Sequence, residues 1–394
     1  MEEITLSVYS HGIAAEEKLR ALLQDFEEKV GIHVRLDTIQ FSALRWPRVV
    51  EAALYHSGPD VSEVGSSWVG DLVRMDALRS FSKDEFDQIV DGGYLFDSIV
   101  KSHAWVSRGV PVYSIPFTAD ARVVFFRRDL FEKAGIDEIT AFSKFVQLQN
   151  TLVALKEKGI PIPIVLPNRW SSMTLQCIAS WVWEKGGDFL EPGGTKLVFD
   201  SPESLEGFTD YFRLVHHLVS DARDLEEYKA DEMFNSGRAA ILFSGYWIPS
   251  SNMVDAVRTN LRAACMPGIP FVGGSDLVIW NHSRHASVAL SLIKYFQSKQ
   301  AGKYLHPWLG LPIKEHDWRS PILNTDIFQV FKESILKGRT FPHSQLWGLV
   351  EKRLTDTFAE IWAEVINAPS GDLDMLVENR IKELAARLQY ILPL

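Results

Sequence analysis

Residues 112–136 read VYSIPFTADARVVFFRRDLFEKAGI, and the rest of the chain can be placed around them. The alternating residues over 112–116 predict a strand, and the polar residues over 118–120 predict a turn. Residues 121–126 are apolar and rich in Val and Phe, which favour a pleated sheet, so a second strand is expected there. The stretch is therefore predicted to cross from one strand to another through a polar turn.

A short helix is predicted directly after the second strand. Asp129 is of a type that caps helix N-termini, residues 130–134 are amphipathic, and Gly135 is of the type that follows a helix C-terminus. Asp120 and Arg122 are expected on one face, because side chains two residues apart in a strand point the same way. Polar groups at the end of a buried strand could form part of a binding cleft, although an ordinary surface turn gives the same pattern.

The chain before this stretch alternates strands and helices. Strands are predicted at 4–8, 33–39 and 61–64, and the segments between them carry helical signals. This alternation predicts an α/β fold with a parallel sheet covered on both faces, in which ligands bind at the carboxyl ends of the strands. The residues expected at that edge are Ser10, His11, Ser66, Ser67 and Trp68.

The composition excludes several classes of protein. A chain of 394 residues is too long for one compact core, so two lobes are expected. The net charge of −10 argues against a nucleic-acid partner, which needs a basic face. No stretch approaches the ~18 to 20 consecutive apolar residues of a membrane-spanning helix. Cys177 and Cys265 lack metal or redox spacing and lie in apolar sequence, which favours buried free thiols over a disulfide.

Five stretches, taken in order along the chain, carry a resemblance to a known family. Besides residues 112–136 they are GPDVSEVGSSWVGDLVRMDALRSF (58–81), FNSGRAAILFSGYW (234–247), MPGIPFVGGSDLVIW (266–280) and GKYLHPWLGLPIK (302–314). Together they resemble the extracellular solute-binding proteins of ABC importers, in the sugar-binding, maltodextrin-binding-protein-like family.

This resemblance implies a fold and a role. The expected fold is α/β, a two-lobe, hinged periplasmic-binding-protein-like architecture with a helical C-terminal tail. The N-terminal lobe would comprise residues 1–116 plus 265–310 and the C-terminal lobe residues 117–264 plus 311–394, with the ligand cleft between them. The implied protein is a monomer that captures a mono- or oligosaccharide and delivers it to the permease subunits of an ABC transporter.

Tryptophan is unusually abundant, with 12 residues in the chain. A flat ring suits the apolar C–H face of a sugar, but tryptophan is also a large core residue. Rings inside predicted elements are expected in the core, namely Trp181, Trp183, Trp280 and Trp362. Rings at strand exits or helix starts are expected to contact ligand, namely Trp46, Trp68, Trp170, Trp247 and Trp347. The resemblance supports Trp247, whose Gly-Tyr-Trp context matches the family's Gly-x-Trp, and it implies a ring from the helical tail, for which Trp347 is the candidate.

Carboxylates are the other candidate ligand contacts. The resemblance matches Asp120 to a residue that accepts a hydrogen bond from a ligand hydroxyl, and a charged acceptor strengthens such a bond; a turn-capping role is the alternative. Arg122 could pair with Asp120 or bind ligand, and Asp276 lies in the matching GGSD stretch, where a turn role is equally compatible. Asp60 and Glu63 raise the question of a glycosidase acid/base pair, but Asp60 is expected to anchor a turn.

Catalytic motifs are absent from the sequence. It contains no GxSxG, HExxH, P-loop or GxGxxG pattern, and its 11 histidines are scattered. The sequence therefore predicts no enzyme, no metal site and no cofactor. Three alternatives stay open: a binding protein for a polyamine or another small solute, a cytosolic sugar sensor, and a carbohydrate-acting enzyme.

The N-terminus bears on where the protein works. The resemblance implies a periplasmic or extracellular, surface-tethered protein, which is made with a basic and apolar cleavable signal. The sequence opens MEEITLSVYS, directly on a predicted strand. Removal of the signal is the favoured explanation, and a cytoplasmic protein is the alternative.

Overall fold

A computed structural model describes residues 3–39, 45–90, 111–191, 194, 196–341, 347–368 and 371–390. The chain forms two compact units. Unit 1 comprises Met1–Asp120 and Val272–Asn324, and unit 2 comprises Ala121–Phe271 and Thr325–Leu394.

Strands and helices alternate over most of the chain. The strands are β1 (Glu3–Tyr9), β2 (His33–Ile39), β3 (Val61–Gly65), β4 (Ile115–Ala121), β5 (Val123–Arg127), β6 (Ile164–Val165), β7 (Ile241–Ser244), β8 (Leu261–Cys265) and β9 (Val272–Ile279). The helices are α1 (Ile13–Val30), α2 (Arg45–Tyr55), α3 (Val69–Arg74), α4 (Lys83–Val90), α5 (Arg128–Ala134), α6 (Phe145–Glu157), α7 (Ser172–Glu184), α8 (Pro202–Phe212), α9 (Glu227–Asn235), α10 (Asp255–Asn260), α11 (Ala286–Phe296), α12 (Lys299–Leu305), α13 (Asp326–Lys337), α14 (Trp347–Asn367) and α15 (Leu373–Gln389).

Unit 1 contains a 5-stranded sheet in the order β2-β1-β3-β9-β4. Strand β1 is parallel to both neighbours, with Leu6 opposite Leu36 on one side and Val61 on the other. Strand β9 runs antiparallel to β3, with Ile279 opposite Val61. The carboxyl ends of β1 and β3 therefore lie at one edge of the sheet, as the alternation of strands and helices predicts.

Helix α1 covers this sheet with one apolar stripe. Leu19, Leu22, Leu23 and Phe26 are all buried, at the i, i+3, i+4, i+7 spacing of an amphipathic helix. The helix ends at Gly31, whose φ of 77° is left-handed and whose N–H donates to the carbonyl oxygen of Glu27 at 2.8 Å. The helix predicted between the first two strands is confirmed.

Unit 2 contains a 4-stranded sheet in the order β6-β7-β5-β8. Strand β5 is antiparallel to both neighbours, with Val124 opposite Phe243 of β7 and Ala264 of β8. All five residues of β5 are buried, because both edges are paired and both faces are covered. The apolar run predicted as a strand from its Val and Phe content is therefore the centre of this sheet.

The C-terminal helices belong to unit 2 and pack on it through aromatic rings. Phe208 of α8 lies 5.4 Å from Phe358 of α14, and Phe212 lies 5.1 Å from Trp362, between ring centroids. The helical tail expected from the sequence is confirmed over the described residues. The four tryptophans predicted for the core are all buried: Trp181, Trp183, Trp280 and Trp362.

Two local predictions in the organising stretch are wrong. Residues 118–120 do not form a turn but lie inside β4, because the Thr118 hydroxyl finds a partner within the sheet, 2.8 Å from Ser275 Oγ. Asp129 does not cap α5. It lies in the first turn of the helix, and its Oδ1 accepts a hydrogen bond from Arg127 Nε at 3.1 Å.

Neither cysteine forms a disulfide bond. Cys177 is buried and Cys265 is half-buried. Among the described residues, no group of His, Cys, Asp and Glu side chains is arranged to hold a metal ion. None of the helices in these segments combines the length and apolar composition needed to cross a membrane.

Candidate functional site

A buried carboxylate joins four strands of unit 1. Glu63, on β3, is 2% exposed; its Oε2 accepts a hydrogen bond from the Tyr9 backbone N–H at 2.9 Å, and its Oε1 accepts one from Ser275 Oγ at 2.6 Å. Since Ser275 donates to Glu63, the Thr118 hydroxyl donates to Ser275, at 2.8 Å. His11 Nε2 lies 3.4 Å from each carboxylate oxygen. These residues form the Glu63 cluster, which ties β1, β3, β4 and β9 together.

Two tryptophan rings lie in unit 1 close to this cluster. Trp68 ends a short 3-10 helix, Ser66–Trp68, that follows β3 directly. Its ring centroid is 5.0 Å from that of Trp46, which is in the first turn of α2, and 6.4 Å from that of Tyr9. Trp46 and Trp68 are both half-buried. The structure therefore brings together two rings whose predicted positions, a helix start and a strand exit, are far apart in sequence.

The three serines predicted at this edge differ in exposure. Ser10 directly follows β1, is half-buried, and donates its backbone N–H to the Ile39 carbonyl at 2.9 Å. Ser67 is half-buried, whereas Ser66 is 8% exposed. Ser10 and Ser67 therefore keep part of their surface exposed at the strand ends.

Asp120 and Asp276, the two aspartates predicted as ligand contacts, lie on neighbouring strands of the unit 1 sheet. Asp120 is half-buried near the end of β4. Asp276 is within β9, fully buried, and its Oδ2 accepts a hydrogen bond from Ser114 Oγ at 2.5 Å. Asp276 therefore links β9 to the segment before β4, and it is not in a turn.

A second polar cluster lies in unit 2 around Trp247, directly after β7. Trp247 Nε1 donates to Asp231 Oδ2 at 2.7 Å, and Ser244 Oγ donates to Asp231 Oδ1 at 2.9 Å. The Arg122 guanidinium lies 5.1 Å from the Trp247 ring centroid, a cation–π distance, and its Nε donates to Gln176 Oε1 at 2.8 Å. These five residues form the Trp247 cluster.

Burial raises the pKa of Asp231 to about 7. The negative charge of Glu227, one turn earlier on α9, acts in the same direction. The hydrogen bonds from Trp247 and Ser244 and the positive charge of Arg122 lower the pKa, but they only partly offset desolvation. Asp231 therefore changes its charge close to neutral pH.

Gly245 explains the Gly-x-Trp pattern. A Cβ atom on Gly245 would lie 2.1 Å from Cζ3 and 2.5 Å from Cη2 of Trp247, closer than any real contact. The six-membered part of the indole thus packs directly on the Gly245 backbone. Any larger residue would displace the ring that Asp231 holds by its N–H.

The other two predicted rings of unit 2 have different surroundings. Trp170 is 47% exposed, and its Nε1 donates to Asp356 Oδ1 at 3.0 Å. Trp347 is 2% exposed and stacks on Phe341, with centroids 4.5 Å apart and planes 27° from parallel. Trp347 therefore belongs to the aromatic core of unit 2 in this structure.

The roles of Glu63 and Asp231 are not visible in the local sequence pattern. The sequence raises Glu63 only as a candidate acid/base partner of Asp60. In the structure Asp60 accepts hydrogen bonds from the Thr5 N–H at 2.9 Å and from Ser283 Oγ at 2.6 Å, which is the anchoring role expected for it. Asp231 lies on an ordinary amphipathic helix, and the available signal was its position 16 residues before the tryptophan of Gly-x-Trp.

Solved structures share this fold. A solute-binding protein from Thermotoga lettingae TMO, bound with α-D-tagatose, superposes with a TM-score of 0.82 at 20% identity, covering 100% of both chains. Maltose-bound MalE3 of T. maritima gives a TM-score of 0.81 at 20% identity, covering 98% of this chain and 99% of the other. These matches confirm the predicted α/β, two-lobe periplasmic-binding-protein-like fold.

Curated sequences and a family profile point the same way. The chain is 23% identical over 253 residues to the arabinooligosaccharide-binding protein of Halalkalibacterium halodurans; the alignment covers 57% of this chain and 53%, about half, of that relative. The profile described as bacterial extracellular solute-binding protein matches residues 12–303. That match spans most of the chain and both units, so the family expected from the sequence is confirmed. The chain belongs to the bacterial extracellular solute-binding proteins.

Proposed function

We propose that this protein captures a mono- or oligosaccharide between unit 1 and unit 2 and delivers it to the permease of an ABC importer. The observation that carries the proposal is the Trp247 cluster. A tryptophan ring directly after a strand is held at its N–H by Asp231 and supported by the Gly245 backbone. A rigid aromatic plane of this kind suits the C–H face of a sugar ring.

Unit 1 offers complementary chemistry. Trp46 and Trp68 supply two further half-buried rings, and Ser10, Ser67 and Asp120 supply polar groups that can bond sugar hydroxyls. Proteins similar to this chain in sequence or structure are named for, or solved with, arabino-oligosaccharide, tagatose and maltose. We infer that the ligand of this chain belongs to the same chemical class.

The mechanism we propose is closure on the ligand. A sugar that contacts residues of both units stabilises the closed arrangement relative to the open one, because it gains its full set of contacts only there. A permease that recognises the closed arrangement then receives loaded protein only. This role places the protein outside the cytoplasmic membrane.

A polyamine is the second ligand class raised by the sequence, and Arg122 argues against it. Its guanidinium lies 5.1 Å from the Trp247 ring centroid, so a cation that stacked on this ring would meet a like charge. Like charges at close range in a desolvated site are costly. A neutral sugar meets no such repulsion.

The test is a ligand screen. We expect arabinotriose, maltose or D-tagatose to raise the melting temperature and spermidine to leave it unchanged, since ligand at about 100 times its dissociation constant adds roughly 2.7 kcal/mol to stability. Mass spectrometry of the recovered sugar should show it intact. Stabilisation by spermidine alone, or shortened sugar products, would overturn the proposal.

A further inference from the structure

The orientation of the Trp247 ring is fixed at two points. At the five-membered ring, Nε1 donates to Asp231 Oδ2 at 2.7 Å. At the six-membered ring, Cζ3 and Cη2 pack on the backbone of Gly245, where even a methyl group would not fit. The second contact sets how close the ring lies to the loop, and the first sets the direction in which the indole N–H points. Removing either contact frees the side chain to adopt other rotamers.

The groups that surround Asp231 all belong to unit 2. Helix α9 contributes Glu227, whose charge opposes ionisation of Asp231, and the segment before β5 contributes Arg122, whose charge favours it. Strand β7 contributes the Ser244 hydroxyl. A carboxylate in this setting can be either ionised or neutral close to pH 7, and the two forms bind the indole differently. The ionised form makes a charge-assisted hydrogen bond, about twice as strong as that made by the neutral acid.

We propose that Asp231 is a positioning residue for sugar binding: its ionised carboxylate holds the Trp247 ring in the orientation that stacks on the ligand, so affinity for sugar rises as Asp231 loses its proton. Asp231 does not itself touch the sugar, and it acts through the ring. This inference rests on the proposed function. The same linkage means that bound sugar, by favouring the held ring, promotes release of the proton from Asp231.

The first readout needs no ligand. In protein labelled with nitrogen-15 tryptophan, the indole N–H resonance of Trp247 is identified by its loss in Trp247→Phe. We expect this resonance to shift with a midpoint of about 7 in the wild type, following Asp231, and to stay constant in Asp231→Asn. Glu232→Gln is the matched control, because Glu232 is an exposed carboxylate on the same helix, and it should titrate like the wild type. A wild-type resonance that does not move with pH overturns the proposal.

The second readout is affinity for whichever of arabinotriose, maltose and D-tagatose stabilises the protein most. We expect the wild type and Glu232→Gln to bind about fivefold more weakly at pH 5.5 than at pH 8.5, the effect of losing the charge on one hydrogen bond. Asp231→Asn should bind with the weaker affinity at both pH values, and Asp231→Leu should bind more weakly still. An Asp231→Asn protein that keeps the wild-type pH profile overturns the proposal. If none of the three sugars binds, the proposed function has failed, and the indole resonance alone decides the role of Asp231.

Discussion

The two units each hold a carboxylate close to the rings proposed for ligand, buried in the case of Glu63 and half-buried in the case of Asp231. In unit 1, Glu63 accepts a hydrogen bond from a backbone N–H of β1 and one from the hydroxyl of Ser275 on β9. In unit 2, Asp231 accepts hydrogen bonds from two side chains, Trp247 and Ser244. A backbone donor is fixed by the sheet itself, so Glu63 serves the fold. Side-chain donors move when their rotamers change, so Asp231 fixes the orientation of the Trp247 ring. The desolvation that accompanies this role disfavours the charged form of its own carboxylate.

The largest effect expected from this comparison is the loss of Glu63. In Glu63→Ala the Tyr9 N–H and the Ser275 hydroxyl lose their acceptor inside the sheet, and we expect a loss of about 2–4 kcal/mol in the free energy of unfolding. Urea denaturation followed by circular dichroism measures this loss. Glu17→Ala, at an exposed position of α1, is the control and should leave stability unchanged. A Glu63→Ala protein with the wild-type urea midpoint would show that this carboxylate does not hold the sheet.

Removing the charge of Asp231 should raise the stability of the protein, the opposite of removing Glu63. Its carboxyl ionises at a pH of about 4 in the unfolded chain but has a pKa of about 7 in the folded protein. Between these values the folded state retains a proton that the unfolded state has released, so wild-type stability falls as the pH rises from about 4 to about 7 and then stays low.

In Asp231→Asn the side chain does not ionise, so this fall in stability with rising pH is absent. The amide keeps an acceptor oxygen for Trp247 Nε1. We therefore expect the variant to be more stable than the wild type by about 1–3 kcal/mol at pH 8 and equally stable near pH 4. Thermal melts of both proteins across this range measure the difference. Equal melting temperatures at pH 8 would mean that Asp231 is better solvated than its burial indicates.

The next prediction concerns the ring itself. Trp247→Ala should weaken sugar binding by about 1–3 kcal/mol, taking the scale from the loss of one aromatic stack on a nucleobase. Gly245→Ala should also weaken binding, because the added methyl group shifts the Trp247 ring without removing it. Calorimetric titration measures both losses, and Trp170→Ala, in the same unit, is the comparison variant. Unchanged affinity with a lowered melting temperature would assign Trp247 to packing.

The smallest effect is expected at Asp120. Asp120→Asn keeps the shape and one acceptor oxygen but removes the charge, so the affinity for a sugar should fall by about 0.5–1.5 kcal/mol, with little dependence on salt. Titration at low and high salt measures both quantities. A steep fall of wild-type affinity with rising salt would instead indicate a cationic ligand.

What the sequence predicted well is what local pattern determines. The alternation of Ile4, Leu6 and Val8 predicts β1, and helical spacing with Gly31 as a stop predicts α1, because each signal lies within the element it describes. The Gly-x-Trp pattern similarly pointed to Trp247. These signals supported the family and fold, which the comparisons confirmed.

What the sequence missed depends on contacts between distant residues. Residues 118–120 look like a turn because their polar atoms have no visible partner nearby, whereas Ser275 supplies one in the sheet, 157 residues from Thr118. Glu63 likewise meets Ser275 across 212 residues. Trp347, which stays a candidate ligand contact from the resemblance, stacks on Phe341, and its position at a predicted helix start contained no information about that neighbour.

The long-range pairing of β3 with β9 also has a consequence for synthesis. Val61 pairs with Ile279, so the ribosome must add about 200 further residues after β3 before its partner exists. At ~5 to 20 residues per second this takes on the order of 10 to 40 seconds. During that time one edge of β3 presents unpaired backbone N–H and C=O groups, whereas the strands of the other sheet, β5 to β8, emerge within one continuous stretch. We therefore expect the nascent chain to complete the sheet of unit 2 before the sheet of unit 1. The sheet of unit 1 is expected to need chaperone protection until then.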